Sequence, residues 1–333
     1  MSPMPNDPAA AAGEYRAAHA DAVLTDRSEL GRLEITGKDA LDLLHRLTTN
    51  DVRSLQPGQG TTAAFLTGKG RIVDLVTLHR LEDRLLCLTG PGRGAAVAAY
   101  IDRYTFREEV RVEDRGRSHG ILGIFGARAS GRVALLFGRE AAGLPLHHSV
   151  ATAIDGLTVL LARAFPLAGD GYHLIAAAGD LPALRLAILR RAEGLAEAGP
   201  VCMEVLRIET GQPAAGRELT EDYNPWEARL DEAISLTKGC YVGQEVVARL
   251  NTYRKVTKLL ARIRVDGGLP VPGARLESAG QPIGILTSAA RIPGEERAVA
   301  LGYVRDEDAA PGKEIDVVDG DRRLRAAILE PAR

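Results

Sequence analysis

The chain is short of aromatic residues. They make up 4% of its 333 positions, with a single tryptophan, Trp226. It has only three cysteines, Cys87, Cys202 and Cys240, set far apart in the sequence. With no Cys-x-x-Cys pair and no Cys/His cluster, neither a zinc site nor a disulfide framework is indicated. An odd, small number of thiols fits a reducing compartment, so a cytoplasmic location is expected. Neither sign of charge dominates, the formal net charge being -2. That gives no general electrostatic reason to expect a nucleic acid or a membrane surface as partner. No apolar run approaches the roughly 20 residues of a membrane span. The start, Met1 to Ala12, is rich in Pro and Ala and lacks the basic and apolar regions of a signal peptide. Residues 1–20 are read as a disordered tail.

What is present is an ordinary soluble composition, 45% hydrophobic and 26% charged, with length enough for two or three domains. Leu33 and Ile35 alternate with polar residues like a half-buried strand. Thr36 then fits a helix N-cap with Asp39 three positions on. Ala40, Leu43, Leu44 and Leu47 share one helical face, and His45 falls off it as a solvated residue. Thr61–Thr67 and Arg71–Arg80 read as strands joined by a Gly68-Lys69-Gly70 hairpin turn. Leu85–Leu88 makes a third strand, Ala95–Tyr104 a helix and Val110–Val112 another strand. Gly120–Phe125, Val133–Phe137, Leu157–Arg163 and Tyr172–Ala176 read as further strands. Helices are expected from Leu181 to about Glu193 and from Pro200 to Thr210. Runs of strands and helices in this order predict an α+β fold. After residue 255, short strands separated by Gly/Pro turns predict a small β-barrel or sandwich.

One stretch, Leu236-Thr-Lys-Gly-Cys-Tyr-Val-Gly-Gln-Glu-Val246, sets a thiol two positions after a lysine. A neighbouring cation favours the thiolate, so Cys240 is a candidate reactive cysteine. A free cysteine is equally at home as a small buried hydrophobe, and the residues alone leave both readings open. The preceding loop, Gly211 to Ile234, is long and charged. It carries Trp226 and Glu227 in Asn224-Pro-Trp-Glu-Ala228, and such loops are more often functional than padding.

Three segments together resemble a known family: Arg207-Ile-Glu-Thr-Gly211, Asn224-Pro-Trp-Glu-Ala228 and Lys238-Gly-Cys-Tyr-Val-Gly-Gln-Glu245. They look like the folate-binding YgfZ proteins, relatives of the glycine-cleavage T-protein (aminomethyltransferase). Arg46-Leu-Thr-Thr-Asn-Asp-Val52 and Gly284-Ile-Leu-Thr-Ser-Ala289 are similar to the front and the C-terminal barrel of both groups. The resemblance covers about residues 27 to 330. It implies a three-lobed ring: two interleaved α+β lobes over residues 21–254 and a β-barrel over 255–333, with tetrahydrofolate or a one-carbon derivative in the central cavity. It further implies an accessory protein that supports iron–sulfur enzymes and iron–sulfur-dependent tRNA modification, with iron–sulfur client or assembly proteins as partners. The other reading is a folate-dependent aminomethyltransferase or demethylase of the T-protein type.

The resemblance assigns roles. Glu209 matches a T-protein glutamate that holds the pterin, and a carboxylate does suit the N–H edge of an aminopyrimidine. Glu227 lines the same cavity or braces the loop. Trp226 stacks on the ligand or anchors the loop. Cys240 becomes a redox or transfer thiol, or an iron contact, with Lys238 supporting its thiolate. Gln244 and Glu245 either bond that loop or begin a helix. The T-protein's catalytic aspartate is expected near Ala95 or Ala96. Neither alanine can move a proton, which argues against efficient aminomethyl transfer.

Overall fold

A computed structural model describes residues 8–253 and 255–329. The first lobe is a five-stranded sheet in the order Gly60–Leu66, Ile72–Arg80, Leu85–Pro91, Leu30–Thr36, Arg111–Asp114. Gly68 to Gly70 turn the first two of these into an antiparallel hairpin, with Gly70 at φ +67°. The helices Ala40–Leu47 and Gly94–Arg103 cover one face of the sheet. Leu43, Leu44, Val97 and Ile101 pack there on Leu33 and Phe65. The helix starts at Ala40, later than the Thr36 cap expected. Its N-cap is Asp39, whose carboxylate accepts the Glu109 N–H instead of capping its own helix.

The second lobe is a six-stranded sheet that interleaves with the first in sequence. Val23–Asp26 lies between Ala196–Glu197 and His119–Gly126, followed by Asp170–Ala177, Leu157–Ala164 and Ser149–Ile154. Ala129–Phe137 and Leu181–Arg191 are helices on one side of it, where Val133, Leu184 and Ile188 join a core with Ile124 and Leu174. The strand expected over Val133–Phe137 is therefore helical. An apolar run that short does not distinguish the two states, and the preceding Ala129 to Arg132 extend it to helical length. Leu86 and Leu88 of one sheet meet Ile121 and Ile175 of the other.

The third lobe is a closed barrel of six strands between Lys258 and Ile328, filled by residues such as Ile263, Leu276, Val304 and Val317. Closure leaves no free sheet edge. Helix Pro200–Glu209 joins the barrel to the rest. Val205 and Ile208 pack with Leu301 and Tyr303, and the buried Glu218 accepts bonds from Arg207, Thr287 and Ser288. The protein is thus α+β, with two sheet lobes and a barrel.

The disordered tail expected over residues 1–20 is corrected for Pro8–Ala20, which is a helix; residues 1–7 lie outside the described residues. Its alanines favour helix intrinsically, and Ala11 and Ala18 are buried. It packs on helix Pro200–Glu209, with Ala18 in one core with Cys202 and Leu206. Among the described residues no helix is long and apolar enough to cross a membrane.

Candidate functional site

The three lobes meet around a cavity of about 520 Å³, within the roughly 300–1,000 Å³ of small-molecule sites. The first sheet contributes Thr62, Asp74, Thr77 and His79, and the second contributes Phe125 and His173. The loops at 210–215 and 228–233 and barrel residues Leu260 and Leu301 close it. Strand alternation explains part of the first wall: Leu75, Thr77 and His79 face the cavity while Val76 and Leu78 face the helices, and Asp74, of the second parity, reaches the lining beside Gly90.

Asp74 is the acid of this cavity. It is fully buried. Its Oδ2 accepts the Gly90 N–H at 3.1 Å, and its Oδ1 has no partner among the described residues. Gly90 makes the approach possible, since a Cβ there would stand 2.6 Å from the Ala215 Cβ and 3.1 Å from Asp74 Oδ1. Burial pushes the Asp74 carboxyl up to about 6, against the pull of the Gly90 N–H and the Arg93 charge. A carboxyl so placed exchanges a proton near neutrality.

Two buried histidines, His79 and His147, and the half-buried His173 stand on the same walls. His79 Nδ1 lies 2.9 Å from the His147 carbonyl oxygen. A carbonyl only accepts, so Nδ1 carries the hydrogen and Nε2 is a lone pair. That Nε2 has no partner among the described residues, nor has His147 Nδ1. His147 takes a left-handed backbone, φ +64°. Burial pulls His79 and His147 down to about 4 and His173 to about 3, so all three are neutral at pH 7. Asp74 Oδ1, when the carboxyl is ionised, and His79 Nε2 are both acceptors, but five residues of one strand, about 16 Å, separate their backbones, so they address different parts of the cavity. The sequence pattern singles out neither. The one signal is an acid inside the apolar run Ile72-Val-Asp-Leu-Val76.

The residues expected to bind folate are engaged elsewhere. Glu209 ends its helix outside the cavity lining. Tyr15 donates to its Oε1 at 2.7 Å and His19 Nε2 lies 3.0 Å from Oε2, both from the N-terminal helix. Burial works against its charge, but the bonds from His19 and Tyr15 hold its carboxyl below the usual range. Glu227 is the bracing residue: its Oε2 accepts the Asn224 N–H at 2.9 Å while Asn224 Oδ1 accepts the Glu227 N–H at 3.1 Å. This reciprocal pair is a capping box closing the loop on itself. Trp226 donates from Nε1 to the Val247 carbonyl at 2.9 Å, so it anchors the loop to helix Gln244–Tyr253. That helix begins at Gln244, the plainer of the two roles considered for Gln244 and Glu245.

Cys240 is exposed, and Cys87 and Cys202 are buried. Burial pushes the thiols of Cys87 and Cys202 up, the latter to about 12. Cys240 is not among the cavity's lining residues. Lys238 does not support it as expected. Its Nζ is buried and donates to the carbonyls of His45, Thr48 (2.6 Å) and Asn50 (2.9 Å) at the end of helix Ala40–Leu47. Three carbonyls match the three N–H bonds of an ammonium. Burial pulls the lysine down to about 8, which leaves it charged at pH 7.

The segment Thr48–Asp51 separates the thiol loop from the cavity. Asn50 accepts from Lys238 on one side, and on the other its Nδ2 donates to the carbonyls of Thr62 and Glu232, both cavity residues. Ala95 and Ala96 lie exposed on the outer face of their helix, away from the cavity lining. Their inability to move a proton therefore says nothing about the cavity, which has its own acid in Asp74. Among the described residues no group of three His, Cys, Asp or Glu side chains is placed to hold a metal.

Two family profiles match the chain: the GCVT N-terminal domain over residues 5–238 and the glycine cleavage T-protein C-terminal barrel domain over 258–332. Among similar proteins is a chloroplastic protein of Arabidopsis thaliana, At1g60990, provisionally named a transferase. It is 28% identical, with 89% of this chain and 68% of that one aligned. The aminomethyltransferase of Symbiobacterium thermophilum is 29% identical over 95% of this chain and 87% of its own. That of Shouchella clausii is 30% identical over 95% and 88%. In structure the chain is similar to the glycine cleavage system aminomethyltransferase T of Bartonella henselae, with a TM-score of 0.83 and 22% identity, covering 96% of this chain and 88% of that one.

Proposed function

The chain belongs to the glycine cleavage T-protein family, and from that premise we propose that its central cavity binds tetrahydrofolate, the ligand of that family. The observation that carries the reading is Asp74, fully buried on the cavity wall with Oδ1 unpaired. An unmet buried acceptor is costly unless a ligand meets it. The residues fit the group: Asp74 and His79 offer acceptors, Phe125 and Leu301 offer apolar surface, and the volume suffices. Bound there, tetrahydrofolate would supply a one-carbon carrier. The chain's part is to exclude water from the ring, orient it through Asp74, and hold or release a proton at Asp74 Oδ1, with His79 an acceptor for a more distant part of the ligand.

Within the family we assign the chain to the YgfZ type, an accessory protein for iron–sulfur enzymes and iron–sulfur-dependent tRNA modification, acting in the cytoplasm with client proteins. The support is the Lys238-Gly-Cys-Tyr-Val-Gly-Gln-Glu245 string with its thiol exposed. A thiol outside the cavity is addressed to another macromolecule more readily than to the folate. The aminomethyltransferase reading keeps one observation in its favour, the proton-transfer group at Asp74.

Titration with tetrahydrofolate under reducing conditions tests the first step. Ligand at about 100 times its Kd stabilises the native state by about 2.7 kcal/mol, and an unmoved melting temperature at saturating folate would sink the proposal. A glycine-cleavage assay with the lipoyl carrier protein separates the two finer readings, since robust turnover assigns the aminomethyltransferase. Rescue of a strain lacking its own YgfZ-type protein, lost in Cys240→Ala, assigns the accessory role.

A further inference from the structure

Arg229 stands on the wall of the central cavity in a backbone conformation that ordinarily calls for glycine. Its φ is +54°. The Leu230 N–H donates to the Pro225 carbonyl at 2.9 Å and the Arg229 N–H to the Trp226 carbonyl at 3.1 Å. These two bonds close a short helical turn as a Schellman motif does, with Arg229 at the left-handed position that glycine most often fills. A side chain there is strained, and strained residues gather at ligand sites.

What the position gains is an aimed guanidinium. The Leu260 N–H donates to the Glu227 carbonyl at 2.8 Å, and Arg229 Nε donates back to the Leu260 carbonyl at 2.9 Å. The turn is thus docked on barrel strand Lys258–Val265 through both backbone polar groups of one residue. Leu260 and Arg229 both line the cavity. With Nε engaged, the Nη1 and Nη2 groups remain, and neither has a partner among the described residues. The other arginines on the wall are occupied. Arg27, Arg163 and Arg207 are ion-paired to Glu29, Asp170 and Glu218, and Arg262 donates to the Glu209 carbonyl.

We propose that Arg229 is the anion anchor of the cavity and takes a carboxylate of the bound ligand on its Nη1–Nη2 edge. Two parallel N–H bonds from a guanidinium suit a carboxylate. This rests on the tetrahydrofolate reading, and for that ligand the carboxylate is one on the glutamyl tail. The ring is then left to Asp74 and the apolar walls. Asp231 and Glu232 belong to the same loop and also line the cavity. Both are exposed, so water and salt screen their repulsion of the anion.

Titration of the reduced full chain with three probes tests this: tetrahydrofolate, a methylated tetrahydropterin (the ring without the tail) and para-aminobenzoylglutamate (the tail without the ring). Arg229→Gly is the first variant, since glycine is the residue its backbone favours and the fold should be kept. It should bind tetrahydrofolate about tenfold more weakly, the scale of one charge-assisted contact at a solvated rim, and the tetrahydropterin within about twofold of wild type. Arg229→Gln, which removes the charge and keeps a polar side chain, should repeat the split. Undiminished tetrahydrofolate affinity in both variants would overturn the proposal. So would an equal loss for tetrahydrofolate and the tetrahydropterin, which marks a distorted loop. If wild type binds neither of these two, the folate reading fails by itself, and para-aminobenzoylglutamate decides the anchor. Binding to wild type that is lost in Arg229→Gly sustains it, and no binding to wild type overturns it.

Discussion

Tyr15 and Glu209 are joined by a 2.7 Å hydrogen bond across 194 positions of sequence. The bond ties the N-terminal helix to the end of helix Pro200–Glu209. It also removes Glu209 from candidacy as a pterin contact, because His19 takes the other carboxylate oxygen. Glu209→Gln should therefore leave tetrahydrofolate affinity within about twofold. It should cost about 1 kcal/mol of stability, the side chain being partly exposed and its bonds partly screened. For a chain of this length that is a fall of roughly 2 °C in melting temperature. A tenfold loss of affinity without loss of stability would return Glu209 to the binding site.

Asp74→Asn should separate stability from binding. In the folded protein this acid holds its proton up to about pH 6, while an unfolded aspartate loses it near 4. Between these values the folded state binds more protons, so the native carboxyl loses stability as pH rises through the window. An amide carries no such penalty and can still accept the Gly90 N–H. The variant should be more stable than wild type above pH 6, by up to about 2 kcal/mol. The gain should vanish near pH 4, as thermal melts across that range would show. Tetrahydrofolate binding should weaken at least tenfold at pH 7. Unchanged binding would remove Asp74 from the site.

Lys238 and Cys240 are two positions apart, and their substitutions should behave oppositely. Lys238→Met leaves three carbonyls at the end of helix Ala40–Leu47 without their donor. Unmet buried acceptors cost about 1–3 kcal/mol each at most, and water will recover part of this. A loss of about 2–3 kcal/mol is expected in denaturant unfolding. Cys240→Ala, at an exposed position, should stay within about 0.5 kcal/mol of wild type. Equal stability of the two variants would show that the lysine does not cap the helix.

The lobes were legible in the sequence because their signals are local. Alternation marked Leu33 and Ile35, the Gly68–Gly70 turn marked a hairpin, and Gly/Pro spacing marked the barrel strands. The site was not legible, because its partners are distant in sequence. Nothing local in Ala-Gly-Glu-Tyr15 announces that Tyr15 will occupy Glu209. Nothing local shows that Asp74 will face the gap between lobes with one oxygen unpaired. Motif spacing singled out Cys240, Lys238 and Trp226, and erred on what Lys238 touches. Its ammonium reaches back 190 positions to the Thr48 carbonyl, where spacing placed it beside the thiol. His45 was misjudged for the same reason: helical periodicity faced it to solvent, yet it is buried, with Lys238 bonded to its carbonyl and the Val242 N–H to that of Arg46.

Acidification should unfold the protein through the cavity histidines. His79, fully buried, holds a proton only below about pH 4 in the folded state, against about 6.5 unfolded. The unfolded chain therefore binds more protons between those values, and stability falls as pH drops through the window. His147 and His173 act in the same sense, with folded values near 4 and 3. Asp74 acts in the opposite sense between about 4 and 6, so it masks part of their effect. Three groups against one leave a net loss on acidification. His79→Gln deletes one of the three and should flatten the pH dependence of stability by up to one proton, about 1.4 kcal/mol per pH unit. Asp74→Asn deletes the opposing group and should steepen it. Denaturant unfolding of the wild type and both variants at pH 7.5, 6 and 5 reads all three slopes. The order of steepness should run from Asp74→Asn through wild type to His79→Gln, and the reverse order would mean that these groups are not buried as the structure has them.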